Sequence, residues 1–166
     1  MSNPAAEPLQ PLNPDEEALV RALGQVMHVL PRAIDTDMVG DRQLPLTEYT
    51  ALMNLSEVPG RRMRMNELAS ACHLSLSGMT RTIIRLETQG LVRRERCEED
   101  ARGWNAVLTD SGFARLAESW PSHLAAVRRR FLQHFEGFDL EQLARAFQRA
   151  GTAETTGTAA TTETAD

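Results

Sequence analysis

Apolar positions recur along this chain at two spacings, and the change from one to the other divides it. Leu19, Leu23, Val26, Leu30 and Ile34 follow one another at steps of four, three, four and four, which predicts one face of a helix from Pro14 to about Val39. Asn13, Pro14 and Glu16 form a helix start and Gly40 an end, while Pro31 is expected to kink the middle. Pro45 and Thr47 open a second helix with Leu52 and Leu55 inward, closed by Pro59-Gly60. A third, short helix covers about Met65 to Cys72, with Leu68 and Ala69 inward and Arg64 where a capping Ser or Thr would help. Ser75 caps a fourth, about Leu76 to Gln89, whose inward positions are Leu76, Met79, Ile83 and Leu86.

After Gly90 the period becomes two. Leu91–Arg96 and Trp104–Leu108 read as strands joined by a polar hairpin loop, Cys97 to Gly103. Met63 and Met65 alternate with Arg62 and Arg64, a short strand expected to pair with that hairpin. Thr109 then caps a fifth helix, kinked at Pro121 and running to about Phe135. Asp139 with Gln142 starts a sixth, with Leu140, Leu143 and Phe147 inward. The fold class is therefore mainly α: six helices with a small β-wing.

The ends differ from this body. Residues 1–13 are proline-rich and read as an extended or disordered arm; residues 151–166 hold only Thr, Ala, Gly and acids and read as a disordered tail. Residues 14–150 make one domain. No apolar run approaches the roughly 20 residues of a membrane span, and no basic start leads into a greasy stretch. No membrane partner and a cytoplasmic location are the expectation. Cys72 and Cys97 are too few for a disulfide framework and lack zinc-site spacing.

Charge is unevenly laid out. The chain carries −5 overall, yet residues 61–96 hold eight Arg against three acids. There is no Lys; every basic residue is Arg, the better donor to phosphate and base edges, although a GC-rich coding sequence would give the same bias. Much of the basic stretch lies in the informative unit, residues 66–109: short helix, three-residue turn, helix, hairpin. That order is a winged helix-turn-helix. The face of the fourth helix opposite its apolar stripe presents Ser77, Gly78, Thr80, Arg81, Thr82 and Arg85. Small and hydroxyl side chains allow close approach to a major groove, amides at the helix start bind phosphate, and Arg brackets guanine. The same residue types also suit an ordinary solvated face. At the hairpin tip, Asp100 can hold Arg102 outward toward a minor groove, or the two can form a plain surface turn.

Residues 46–112 resemble the MarR family (multiple antibiotic resistance regulators). The matching pieces are Leu46-Thr47, Glu67-Leu68-Ala69, Leu74-Ser75, Thr80-Arg81, Arg85-Leu86-Glu87 and Gly90-Leu91-Val92. The most specific is Asp100-Ala101-Arg102-Gly103 followed by Leu108-Thr109-Asp110-Ser111-Gly112, which fits the family's wing signature. The resemblance implies a homodimeric transcriptional regulator on a palindromic operator of double-stranded DNA, most often a repressor released by a small-molecule effector. It implies contacts from Ser75, Ser77 and Thr80 to the major groove and from Arg102 to the minor groove; Gly78, Arg81, Arg85 and Asp100 complete the candidate DNA-binding set. The DNA-binding part spans about 45–109. Helices at about 14–39 and 110–150 would pair two chains. Gly78, a helix-weakening residue in a reading helix, is expected to permit close backbone approach to DNA.

Other chemistry is poorly represented. His28, His73, His123 and His134 have no acid or Cys cluster to complete a metal site, so no metal or cofactor is expected. Cys72 reads as a small buried filler and Cys97 as an exposed wing residue. Trp104 and Trp120 read as packing residues, and Arg128–Arg130 as a solvated or ion-paired face. An effector site could draw on His28, Arg32, Tyr49 and Trp120. No nucleophile–base spacing, phosphate loop or paired carboxylates point to an enzyme. The alternative class is a winged-helix dimeric protein-interaction module without sequence-specific DNA binding.

Overall fold

The computed structural model describes residues 10–97 and 103–152. Asn13 starts α1 (Pro14–Gly40): its side chain accepts from the Asp15 and Glu16 amides at 3.0 Å each, and Glu16 reaches back to the Asn13 amide at 2.8 Å. Pro31 lies inside this continuous helix. The next helix, α2 (Leu46–Glu57), has no side-chain cap of its own from Pro45; Asp35 of α1 supplies one, accepting from the Leu46 amide at 2.8 Å. A single tight turn, Pro59–Arg61, leads into strand β1 (Arg62–Arg64).

Helix α3 (Met65–Ala71) begins at Arg64, whose amide donates to Glu67 Oε2 at 3.2 Å. The weak start is thus served from inside the helix. His73 sits in the following turn with φ +52°, and α4 (Leu76–Thr88) begins after Ser75. Strands β2 (Val92–Arg96) and β3 (Trp104–Leu108) pair antiparallel, with Val92 opposite Leu108 and Arg96 opposite Trp104. As expected, β1 joins them, and the sheet order is β1-β3-β2.

Helix α5 (Asp110–Arg130) contains Pro121 and stops sooner than the apolar pattern suggests. Phe131 leaves helical geometry (φ −131°, ψ −67°), and Leu132–Phe135 form one tighter turn. The physical reason is aromatic: Phe131 packs edge-on to Phe135 at 4.8 Å, and Phe135 to Phe138 at 6.0 Å, which turns the chain. The last helix, α6 (Leu140–Thr152), is started by Asp139, which accepts from the Glu141 and Gln142 amides at 3.0 and 3.1 Å. It reaches two residues into the segment read as a tail, because Thr152 folds its hydroxyl back onto the Gln148 carbonyl at 3.0 Å.

The core lies where α2, α3, α4 and the sheet meet the C-terminal part of α1 and the first half of α5. Met38, Tyr49, Leu52, Leu55, Leu68, Met79, Ile83 and Leu86 are all fully buried there. Two expectations fail at its edges. Leu76 is 54% exposed: at the first turn of α4 it lines an open cleft with Met65 and Asn66 and is not covered by them. On α6 no residue is buried, and Leu140 and Phe147 are about half exposed. The same holds for the first half of α1, where Leu19, Leu23 and Val26 are exposed while Ile34 and Met38 are buried. No described helix is long and apolar enough to cross a membrane.

Candidate nucleic-acid interface

The sequence of α4 fixes which side it shows. Met79, Ile83 and Leu86 bury one stripe, leaving Ser75, Ser77, Arg81 and Arg85 exposed and Thr80 and Gly78 half-exposed. Thr82, expected on the outer side, is buried; it lies at the edge of the stripe and donates to the Gly78 carbonyl at 3.2 Å. Ile84, absent from the sequence-derived list, is 45% exposed and joins Leu76 as an apolar group on the open side. Leu76 was hidden by its correct helical spacing, which says nothing about how far the neighbouring elements extend.

The start of α4 is well formed. Ser75 Oγ accepts from the Gly78 amide at 3.1 Å and lies 3.2 Å from Ser77 Oγ. A Cβ on Gly78 would stand 3.2 Å from Ser75 Oγ, so the cap itself crowds that position. Thr80 donates to the Leu76 carbonyl at 2.8 Å.

The arginines are less free than their number suggests. Arg61 pairs with Asp110 at 3.1 Å, Arg62 with Glu95 at 3.1 Å, and Arg85 with Glu48 at 2.8 Å. Arg93 pairs with Glu95 and Arg94 with Glu87, both at 2.8 Å. Arg94 and Arg96 also lie over the Trp104 ring, at 5.5 and 4.6 Å, so this half-exposed tryptophan organises the base of the wing. Arg81 is exposed and has no hydrogen bond or ion pair among the described residues. Apart from Arg85–Glu48, whose carboxylate is buried, pairs of this kind are each worth about 0–1 kcal/mol.

Asp100 and Arg102 lie outside the described residues. What is described is the base of their loop, closed by the Cys97 amide donating to the Gly103 carbonyl at 3.0 Å. Cys97 is buried, contrary to expectation, because its thiol turns in to Asn105 Oδ1 at 3.2 Å. It lines a cleft of about 280 Å³ with Arg64, Leu76, Thr80, Arg94 and Trp104, between the reading helix and the wing. Cys72 is half-buried, and burial raises its thiol pKa.

A second cluster joins α2 to α5. Tyr49, buried, stacks on His123 with centroids 4.2 Å apart, and half-exposed Trp120 tilts against His123 at 6.2 Å. Tyr49 Oη and His123 Nδ1 are buried without a hydrogen-bond partner among the described residues. Burial pushes the Tyr49 pKa up and the His123 pKa below its ordinary 6.5. His28 and Arg32, expected nearby, are exposed on α1 and take no part in it. Further along α5, Arg129 and Arg130 converge on Asp37 of α1, each with a 2.7 Å contact. Hydrogen bonds from Arg130, then Arg129, hold that carboxyl well below the usual carboxylate range. Two of the three consecutive arginines are thereby ion-paired.

A two-helix reading unit with a hairpin packed behind it, and an open polar face on the second helix, defines a winged helix-turn-helix protein. A model of the MarR family matches residues 42–103. AbsC, a MarR family transcriptional regulator from Streptomyces coelicolor, is 36% identical at a TM-score of 0.75, over 87% of this chain and 97% of that one. Sco3205, another from Streptomyces coelicolor and solved in complex with DNA, is 29% identical at a TM-score of 0.77, over 93% and 97%. BldR of Sulfolobus solfataricus shares the fold at 19% identity and a TM-score of 0.72, over 86% and 99%. The chain belongs to the MarR family of transcriptional regulators.

Proposed function

We propose that the protein is a homodimeric repressor that occupies a palindromic operator and leaves it when a small ligand binds. The observation that carries the DNA reading is the open face of α4, with its formed N-terminal cap and an exposed Arg81 that pairs with none of the described residues. In the proposed complex Ser75, Ser77 and Thr80 meet phosphates or base edges in the major groove, with the backbone near Gly78 close by. Arg81 and Arg85 supply charge, and Arg102, steadied by Asp100, reaches the flanking minor groove. A second copy is supported as partner by the exposed apolar faces of α1 and α6. Such a dimer would set its reading helices about 34–36 Å apart, one duplex turn. The effector is assigned to the Tyr49–His123–Trp120 cluster, whose two unpaired buried polar atoms suit a ligand with an aromatic ring and a hydrogen-bonding edge. This reading puts the protein with the bacterial chromosome in the cytoplasm.

The test is selection from a random duplex pool followed by mobility shifts of the recovered sequence at rising salt. A palindrome should emerge, and affinity should fall steeply with salt as counterions are released. Arg102→Ala should weaken binding to it by about 1–3 kcal/mol. A second reading, a dimeric protein-interaction module, draws on the internal ion pairs of Arg61, Arg62, Arg85, Arg93 and Arg94. It would be favoured if no duplex were retained at low salt.

A further inference from the structure

We infer that Glu48 is a positioning residue for DNA recognition: from α2 it holds Arg85, and through Arg85 the middle of α4, in the arrangement that meets the duplex. The inference rests on the DNA reading above. Glu48 is buried, at 4% exposure, while the Arg85 side chain is 52% exposed. Glu48 Oε1 accepts from Arg85 Nε at 2.8 Å, and among the described residues Arg85 is its sole ion-pair partner. A terminal nitrogen of the guanidinium donates to Thr82 Oγ1 at 3.4 Å. Thr82 in turn donates to the Gly78 carbonyl at 3.2 Å, and the Gly78 amide donates to Ser75 Oγ at 3.1 Å. One chain of polar contacts thus runs from a buried carboxylate on α2 to the N-cap of the reading helix.

Packing of α2 on α4 does not require a charge at position 48; an apolar side chain would fill the space at lower desolvation cost. What the carboxylate adds is direction. It takes Arg85 by its inner nitrogen while the side chain stays 52% exposed, so an anion arriving there finds it already ordered. It also offsets the arginine's charge until a phosphate stands close enough to share it. Arg85 then contributes little to loose encounters with any duplex and more to a correctly seated one.

The test compares wild type, Glu48→Ala, Glu48→Gln, Arg85→Gln and the Glu48→Ala/Arg85→Gln double variant. The probes are the duplex selected by the wild-type protein and a scrambled duplex of the same composition. Glu48→Ala should lose about tenfold on the selected duplex and bind the scrambled one at least as tightly as wild type, and the loss should vanish in the Arg85→Gln background. Glu48→Gln keeps the acceptor and should restore affinity to within about threefold. The Arg85 ¹⁵Nε–H resonance, readable without DNA, should be protected from exchange in wild type and Glu48→Gln and unprotected in Glu48→Ala. Equal losses on both duplexes, a loss that persists without Arg85, or an unprotected Nε–H in wild type would overturn the inference. Failure of the wild-type chain to select any duplex would overturn the DNA reading itself, a separate result.

Discussion

A methyl group at Gly112 would stand 2.0 Å from the Leu91 carbonyl oxygen and 2.7 Å from Leu108 Cδ1. This gives a physical meaning to the glycine that ends the wing signature. The Thr109 hydroxyl donates toward the Gly90 and Leu91 carbonyls at 2.8 and 3.0 Å and accepts from the Gly112 amide at 3.0 Å. Together these contacts seat the first turn of α5 directly on the backbone between α4 and β2. Gly112→Ala should therefore destabilise the fold by about 3 kcal/mol, the upper end for overpacking, measured by urea unfolding. His123 gives a pH prediction at the same scale. Its folded pKa lies below the ordinary 6.5, so on acidification the unfolded chain takes up this proton first. Stability should fall as pH drops below about 6.5 and on through the lowered folded pKa, and His123→Phe should flatten that part of a melting-temperature profile.

Among the elements, the turn between α3 and α4 carries a cost. His73 sits at φ +52°, a left-handed conformation that costs a non-glycine residue about 1–2 kcal/mol. Since the His73 amide is bonded to the Ser70 carbonyl at 3.0 Å whatever its side chain, His73→Gly should keep the turn. The expected gain is about 1 kcal/mol of stability in thermal melts, with duplex binding unchanged. Helix α2 is the element whose importance the sequence concealed. Its neighbours Glu48 and Tyr49 face different partners, the reading helix and α5. Neither is distinguishable in the sequence from an ordinary polar or core position on an amphipathic helix. The boundaries of α1, α2, α4 and both wing strands were legible to within a residue or two because caps, glycines and period changes are local signals. The end of α5 was not, because packing among Phe131, Phe135 and Phe138 overrides a continuing apolar pattern.

For the whole molecule the open question is where two apolar faces go. Leu19, Leu23, Val26 and Met27 on α1, and Phe138, Leu140 and Phe147 around α6, are all more than 40% exposed in one chain. These apolar side chains stand in water on both helices in a single chain. The proposed dimer would cover them. Wild-type protein should sediment at twice its 18.4 kDa chain mass, and Leu23→Asp should sediment as a single chain that no longer shifts the selected duplex. The charge distribution changes meaning at this scale too. Arg62, Arg93 and Arg94 meet Glu95 and Glu87 of their own stretch while Arg61 and Arg85 meet Asp110 and Glu48 from outside it, so the basic stretch in the sequence is largely a set of ion pairs rather than a bare positive patch.

Local physics settled the helices, the wing, the cap at Ser75 and the exposed side of α4, because each depends on residues within a few positions of one another. The wing glycine, the burial of Cys97, the exposure of Leu76 and the pairing of Glu48 with Arg85 were decided by distant segments brought into contact. Arg85 lies 37 residues from Glu48, and no spacing rule along the chain connects the two. A periodic pattern says which face of an element prefers to be dry; only the folded chain decides what arrives to cover it.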